Sequence, residues 1–198
     1  MISKHPPCPG KRGDTLIDMM RGYTLIEMML VVCLIGIISS MVVLQIGASR
    51  PGMIGDGGMR LMMAQLNFAR ETAIAQRRQI EITFVGNNTI QLTRHNVPNG
   101  TTVLQTVPFE SGLVFGLVAG KPDTPDGFGN GAATFFQGAA TVQFGTDGGL
   151  IDGAGAPVNG TIFFMLPGIE QSWRAVTVLG ATGRVRAYRW TGVKWTRV

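Results

Sequence analysis

The feature that most constrains this chain is an uncharged apolar stretch close to its N-terminus. Residues 28–49 form a run of 22 residues without a charged side chain, and its most apolar part continues to about Ile46. A helix rises about 1.5 Å per residue, so this run reaches across a hydrocarbon core of about 30 Å. We therefore expect a helix that begins near Tyr23 and spans a membrane once, over residues 23–49.

The residues before this run form a basic leader, residues 1–22. An ordinary secretory signal ends in a small-residue cleavage site after its apolar core, whereas here Gly22 precedes the apolar run. The leader carries four basic residues against two acidic ones, and an excess of Lys and Arg favours the cytoplasmic side of a membrane. These charged residues are Lys4, Lys11, Arg12 and Arg21, with Asp14 and Asp18. The chain after the span is then expected outside the cytoplasm.

The junction between leader and helix, residues 21–30, reads Arg-Gly-Tyr-Thr-Leu-Ile-Glu-Met-Met-Leu, with Gly22 before the apolar run and Glu27 at its start. This motif resembles the class III signal of type IV prepilins and type II secretion pseudopilins. The resemblance implies that a prepilin peptidase cuts between Gly22 and Tyr23 and methylates the new N-terminus. The basic leader is removed and the membrane helix is kept.

Glu27 is the one carboxylate at the start of the apolar run. A carboxylate within a membrane costs about 2.5 kcal/mol or more and usually marks a partner or a function. One interpretation is that Glu27 lies at the level of the lipid headgroups and is solvated there. The resemblance implies another: the matching glutamate of prepilins pairs with the free N-terminal amine of a neighbouring subunit during filament assembly.

The rest of the chain predicts an α+β domain. Residues 50–58 contain Pro51 and four glycines, which disfavour a helix, and we interpret them as a hinge. A second, amphipathic helix is expected at residues 59–77. Its apolar residues recur at intervals of three and four, and Arg60, Asn67, Glu71 and Arg78 lie on the opposite face. The apolar residues are Met59, Met62, Met63, Leu66, Ala69 and Ala73.

From Gln79 onward the apolar period changes to two, which indicates strands, and Gly86 lies in the turn of a predicted hairpin. So many short strands predict two packed antiparallel sheets in a β-rich head, residues 59–198. The predicted strands are 79–84, 89–94, 102–108, 112–118, 134–136, 141–144, 161–166, 173–179, 184–190 and 193–198. Residues 120–131 and 146–160 are rich in Gly, Pro and Asp and are expected to be surface loops.

The order of these elements is similar to that of the GspH/FimT family of minor pseudopilins and minor pilins. The similarity rests on the anchor, a helix ending in residues 73–77, a β-rich body, the Gly148-Gly149 turn and the closing residues 182–186. It implies a minor, H-type subunit of a type II secretion pseudopilus, a single-pass protein of the inner membrane with its C-terminal head in the periplasm. Its implied partners are other pseudopilin or pilin subunits, the prepilin peptidase and an inner-membrane assembly platform.

The C-terminus concentrates positive charge and suggests an anionic partner. Residues 172–198 carry six basic and no acidic residues, although the whole chain has a net charge of only +5. In a strand, Arg184, Arg186, Tyr188 and Trp190 share a face, and guanidinium groups between aromatic rings suit phosphate contact and base stacking. Some members of the FimT branch bind DNA through a matching Gly-Arg-x-Arg element. The alternative function is therefore DNA binding by a type IV minor pilin.

This C-terminal hypothesis names six residues: Arg184, Arg186, Tyr188, Arg189, Trp190 and Lys194. The same pattern also fits a solvated strand face or a contact with acidic subunits of a filament. DNA binding is thus one of three interpretations that the pattern allows.

Catalysis, cofactors and metals have no support in the sequence. Cys8 lies in the leader and Cys33 in the span, so the head has neither a disulfide nor a thiol nucleophile. His95 stands alone, and no serine has a base at a motif spacing. Four aspartates lie in glycine-rich loops, but their spacing fits no EF-hand and favours turns over a calcium site: Asp123, Asp126, Asp147 and Asp152. We expect a non-enzymatic protein without a cofactor.

Overall fold

The computed structural model describes residues 23–198, and for residues 43–48 it describes the course of the helix but not the side chains. The chain divides between Gly47 and Ala48 into two compact units. The described part of the N-terminal unit is helical from Leu25. The C-terminal unit, Ala48–Val198, contains the rest of that helix and the strands, and together they form an α+β fold.

Helix α1 spans Leu25–Gln76 and contains Pro51. The structure differs here from the two helices separated by a hinge that the sequence predicts, because residues 50–58 are helical and continuous with the amphipathic segment. The glycines of this segment serve packing. A Cβ on Gly55 would lie 2.5 Å from the carbonyl oxygen of Ser172, and one on Gly58 would lie 2.6 Å from Cδ1 of Leu113. Close packing on the sheet therefore overrides the low helix propensity of glycine.

Eleven strands are described, and they form two antiparallel sheets. The first sheet has the order β3-β2-β1-β6-β7, and the second has the order β11-β10-β9-β8-β4, with β5 also paired to β8. The strand bounds are β1 Ile80–Val85, β2 Thr89–His95, β3 Thr101–Pro108, β4 Val114–Phe115, β5 Thr134–Phe135, β6 Val142–Phe144, β7 Leu150–Asp152, β8 Gly160–Leu166, β9 Ile169–Leu179, β10 Arg184–Trp190 and β11 Trp195–Arg197. The predicted hairpin is β1 and β2. Strand β7 lies in a segment that the sequence predicts as a loop.

One hydrophobic core joins the second half of α1 to both sheets. The predicted apolar face of the helix supplies it, with Met62, Leu66, Ala69 and Ala73 fully buried and Met59 nearly so. The first sheet contributes residues such as Ile80 and Phe144, and the second sheet contributes residues such as Phe164 and Val176. This arrangement confirms the predicted helix face and the two sheets that pack against it.

Two glycine turns that carry the family resemblance meet on this helix. Arg70 of α1 donates from Nε to the carbonyl oxygen of Gly148 at 3.1 Å. Gly183 has a positive φ of 63°, and a Cβ there would overlap that same carbonyl oxygen. Only glycine tolerates both conditions at position 183. The turns are therefore tied to each other and to α1 by close backbone approach.

Candidate functional site

The first turn of α1 is capped by the side chain of Thr24, the residue before the helix. The backbone N–H of Glu27 donates to Oγ1 of Thr24 at 3.3 Å, and that of Met28 donates to the Thr24 carbonyl at 3.1 Å. Thr24 and Glu27 have the spacing of a capping box, and a carboxylate in the first turn complements the helix dipole. Glu27 is therefore suited to start a helix, whatever else it contacts.

Beyond this turn α1 exposes an apolar surface on all sides. Every side chain of Leu25–Val42 is exposed, with Leu25 at 77% and Ile26 at 75%. Exposed apolar surface of this extent marks a contact with a membrane or with other proteins. By length and composition, Leu25–Val42 can cross a membrane. The carboxylate of Glu27 lies within this surface, two residues after its start.

The predicted processing site is only partly visible. Gly22 lies outside the described residues. Tyr23 is 75% exposed and precedes the helix. An exposed position just before the helix leaves the proposed new N-terminus accessible.

The basic residues of the C-terminus are distributed over both faces of the second sheet. Arg184 and Lys194 are exposed, and Arg189 is half-exposed at 47% of its side chain. Arg186 pairs with the carboxylate of Asp126, and Arg189 Nη2 donates to Oδ2 of Asp56 at 2.7 Å. Two of the predicted cations therefore already have carboxylate partners within the chain.

The aromatic residues of the predicted ladder are buried. Tyr188 and Trp190 are only 3% and 5% exposed. They pack with Phe163, Trp173 and Trp195, and the Trp190 and Trp195 ring centroids are 5.2 Å apart. The rings share one face of the strand, as strand alternation predicts, but they have no free surface on which a base could stack. The stacking surface that the sequence suggested is not formed.

A loop segment, residues 117–126, covers this aromatic cluster. The ammonium of Lys121 lies 5.1 Å from the Trp190 ring centroid and 5.3 Å from that of Trp173. Trp195 Nε1 donates to the carbonyl oxygen of Pro122 at 2.8 Å. Sequence periodicity identifies which residues share a face, but it does not reveal that a distant loop covers that face.

Asp126 fixes the end of this loop and departs from the turn chemistry predicted for it. Its Oδ2 accepts a hydrogen bond from the Thr177 hydroxyl at 2.6 Å, and its Oδ1 accepts one from Arg186. Burial alone raises the pKa of the Asp126 carboxyl, but hydrogen bonds from Thr177, Tyr188 and Arg186 outweigh it and hold the pKa below its ordinary value. Asp126 thus anchors the loop to β9 and β10.

A second carboxylate, Asp56, joins α1 to the second sheet. Arg174 is only 2% exposed, and its Nε donates to Oδ1 of Asp56 at 2.7 Å, while Arg189 binds the other oxygen. Burial raises the pKa of the Asp56 carboxyl, but the hydrogen bonds and charges of Arg174 and Arg189 outweigh it and lower the pKa. Arg174 also donates to three backbone carbonyls, at Gln171, Trp173 and Gly52.

We call Asp56, Arg174 and Arg189 the arginine clasp. Sequence reasoning missed it, because Asp56 lies between glycines in the segment interpreted as a hinge. One signal was present. Arg174 shares its face of the strand with the apolar residues Val176 and Val178, which are fully buried, and a buried guanidinium requires a carboxylate partner.

The other loop aspartates stabilise their own turns. Oxygens of Asp123 accept backbone N–H bonds from Thr124 and Gly129, and Asp147 accepts one from Gly149. Asp152 accepts two more, from Ala154 and Ala156. Among residues 23–198, no group of three or more His, Cys, Asp or Glu side chains is placed to hold a metal ion.

The chain is similar in fold to two solved structures. One is the type IV minor pilin FimU of Pseudomonas aeruginosa, at 14% identity and a TM-score of 0.46, covering 76% of this chain and 96% of that one. The other is the minor pseudopilin EpsH from the type 2 secretion system of Vibrio cholerae, at 17% identity and a TM-score of 0.45, covering 68% and 94%. No protein-family model and no curated protein sequence matches this chain.

Proposed function

We propose that the chain is a minor, H-type pseudopilin of a type II secretion system, a subunit that assembles into a short periplasmic filament supporting protein export. The observation that carries the proposal is the contrast within helix α1. Leu25–Val42 exposes an apolar surface that contains Glu27, whereas Met62, Leu66 and Ala73 of the same helix are fully buried in the C-terminal unit. The second part holds a folded domain and the first part is left for a membrane or for other helices.

The subunit is proposed to mature in the membrane and then to assemble into the filament. In the first stage, α1 anchors the precursor in the inner membrane, with the leader in the cytoplasm and the C-terminal unit in the periplasm, and the peptidase cuts between Gly22 and Tyr23 and methylates Tyr23. In the second stage, the assembly platform transfers the subunit into the filament, where the apolar surface of α1 packs against neighbouring helices. The mechanism is assembly, with no chemical step in the head.

Glu27 has a specific task in the second stage. Its carboxylate pairs with the positively charged N-terminal amine of a neighbouring subunit, and each charge relieves the cost of placing the other in apolar surroundings. The exposure of Glu27 beside an apolar surface supports this role.

The test compares two glutamates of the same helix. Glu27→Ala is expected to insert and to be cleaved normally, but to be lost from assembled filaments that are pulled down from lysed cells. Glu71→Ala is the matched control, since Glu71 is also exposed on α1 but lies in the C-terminal unit. Equal recovery of both variants in the filament fraction, measured by immunoblot against total mature subunit, would contradict the proposal.

The alternative is a type IV minor pilin that binds DNA through its C-terminal strand. The exposure of Arg184 and Lys194 leaves it two accessible cations, but the burial of Tyr188 and Trp190 removes its stacking surface in this conformation. The secretion proposal is therefore supported better.

A salt titration tests the alternative directly. Removing two phosphate contacts with Arg184→Gln and Lys194→Gln should lower the slope of log affinity against log salt by about two, because each contact releases counterions. Arg60→Gln, an exposed arginine on α1, is the control. An unchanged slope in the double variant would exclude a role for this strand in binding DNA.

A further inference from the structure

A surface groove lies where α1 enters the C-terminal unit. It has a volume of about 450 Å³ and is shared by α1 and the hairpin that joins β10 to β11. The helix contributes Ser49, Gly52 and Met53, and the hairpin contributes Thr191 and Gly192. The hairpin therefore lies beside the first residues of the C-terminal unit.

Chain connectivity places this groove close to the proposed membrane. Ser49 is three residues beyond Ile46, where the most apolar part of the run ends, and three residues extend by at most about 11 Å. The headgroup region on each side of a bilayer is about 5 to 8 Å thick. With the apolar run of α1 in the membrane, Ser49 at the edge of the groove therefore lies within or just outside the headgroups.

The exposed side chains around the groove combine apolar and basic groups. Met53 is 70% exposed and Val193, at the tip of the hairpin, is 83% exposed. Arg50 and Lys194 are exposed and Arg189 is half-exposed. Apolar side chains that enter the interface, flanked by cations that meet phosphates, are the features by which proteins bind anionic membranes.

The nearby carboxylates do not cancel this positive charge. Asp56 is bound by Arg174 and Arg189. Glu170 accepts a hydrogen bond from Trp190 Nε1 at 2.7 Å and lies 3.5 Å from the Lys121 ammonium. The cations Arg50, Lys121, Arg174, Arg189 and Lys194 outnumber the two carboxylates by three.

We propose that Arg50, Met53, Val193 and Lys194 form a membrane-facing rim that binds the headgroups of anionic phospholipids in the leaflet from which α1 emerges. This inference rests on the proposed function, because it requires α1 to be anchored in a bilayer. The contact belongs to the subunit in the membrane and is broken when the subunit leaves for the filament. It holds the C-terminal unit against the membrane before assembly.

The test places a fluorescent label at the rim of the full chain. With Cys8 and Cys33 changed to Ala, a Val193→Cys chain is labelled with an environment-sensitive dye and reconstituted into vesicles of phosphatidylcholine, with or without phosphatidylglycerol. The control label is at Asn99→Cys, an exposed turn between β2 and β3. We expect acrylamide quenching at position 193 to fall by about half when phosphatidylglycerol is added. Quenching at position 99 should not change.

Charge variants identify the source of the protection. Arg50→Gln with Lys194→Gln should abolish the effect of phosphatidylglycerol at position 193, whereas Arg60→Gln should preserve it. Equal quenching at positions 193 and 99 in vesicles that carry the protein would contradict the lipid contact of the rim, but not the proposal that α1 anchors the chain in the membrane. Failure of the chain to float with vesicles would overturn both. Protection in detergent that grows with protein concentration would assign the surface to a second copy and overturn the lipid contact.

Discussion

At the scale of single residues, the arginine clasp is the most demanding feature of the molecule. Arg174 is almost completely buried, so its charge must be compensated inside the protein. Asp56 supplies that compensation and also binds Arg189, which is the register partner of Arg174 on the neighbouring strand. One carboxylate of α1 therefore fixes two strands of the second sheet.

Removal of the Asp56 charge should be costly. Asp56→Asn leaves the buried guanidinium of Arg174 without its counter-charge, and breaking a buried ion pair from one side costs about 3 to 5 kcal/mol. The Asp56 side chain is 26% exposed, so solvent screening reduces the expected loss to about 2 to 3 kcal/mol. The measurement is denaturant unfolding of the full chain in detergent, followed by tryptophan fluorescence.

Arg189→Gln is the matched comparison for the clasp. It removes the half-exposed partner of the same carboxylate, and an exposed ion pair contributes about 1 kcal/mol or less. Equal losses in the two variants would contradict the view that the buried Arg174 dominates the clasp.

At the scale of elements, α1 is positioned by glycines on its inward side. Gly55 and Gly58 are buried against the second sheet and the β3–β4 connection, whereas Gly57 is exposed. Their difference in surroundings predicts opposite effects of adding one methyl group.

Gly55→Ala should destabilise the fold and Gly57→Ala should stabilise it. A methyl group at position 55 meets the backbone of Ser172, which cannot move aside as a side chain could, and overpacking of this kind costs about 1 to 3 kcal/mol. At position 57 nothing lies within 4 Å of the added Cβ, so the variant gains up to about 1 kcal/mol of helix propensity. Thermal unfolding should show a lower melting temperature for Gly55→Ala and a higher one for Gly57→Ala. A lower melting temperature for both variants would contradict the view that packing against the sheet decides the effect of the added methyl group.

The pattern of apolar residues predicted the elements that pair with a neighbour in sequence and those whose periodicity continues over many residues. The helix face from Met59 to Ala73 and the hairpin of β1 and β2 follow from periods of three to four and of two. Features set by distant contacts could not be predicted in this way. Residues 50–58 are helical because the sheet accepts their glycines, and β7 forms because β6 offers its edge to Leu150 and Ile151.

The candidate sites divide along the same line. The apolar surface that surrounds Glu27 could be predicted, because it depends on consecutive residues. The state of the C-terminal strand could not. Its alternation places Tyr188 and Trp190 on one face, but Lys121 and Asp126, more than 60 residues earlier in the chain, cover and pin that face.

At the scale of the whole molecule, the chain combines an exposed apolar helix segment with a folded C-terminal unit. The apolar segment must be removed from water, whereas the folded C-terminal unit is stable in water. Both conditions are met when the segment lies in a membrane, or in an assembly in which many α1 segments cover one another. We propose that the Leu25–Val42 surface contacts other subunits in a filament.

Photocrosslinking inside assembled filaments tests that claim most directly. With a photoreactive amino acid in place of Leu30, which is 58% exposed, irradiation of purified filaments should join the chain to neighbouring subunits through their N-terminal helices, and mass spectrometry of the linked peptides should locate those contacts. The same crosslinks should disappear when Glu27→Ala is added. Adducts with lipid alone, or a chain absent from the filament fraction with Glu27 intact, would contradict the account.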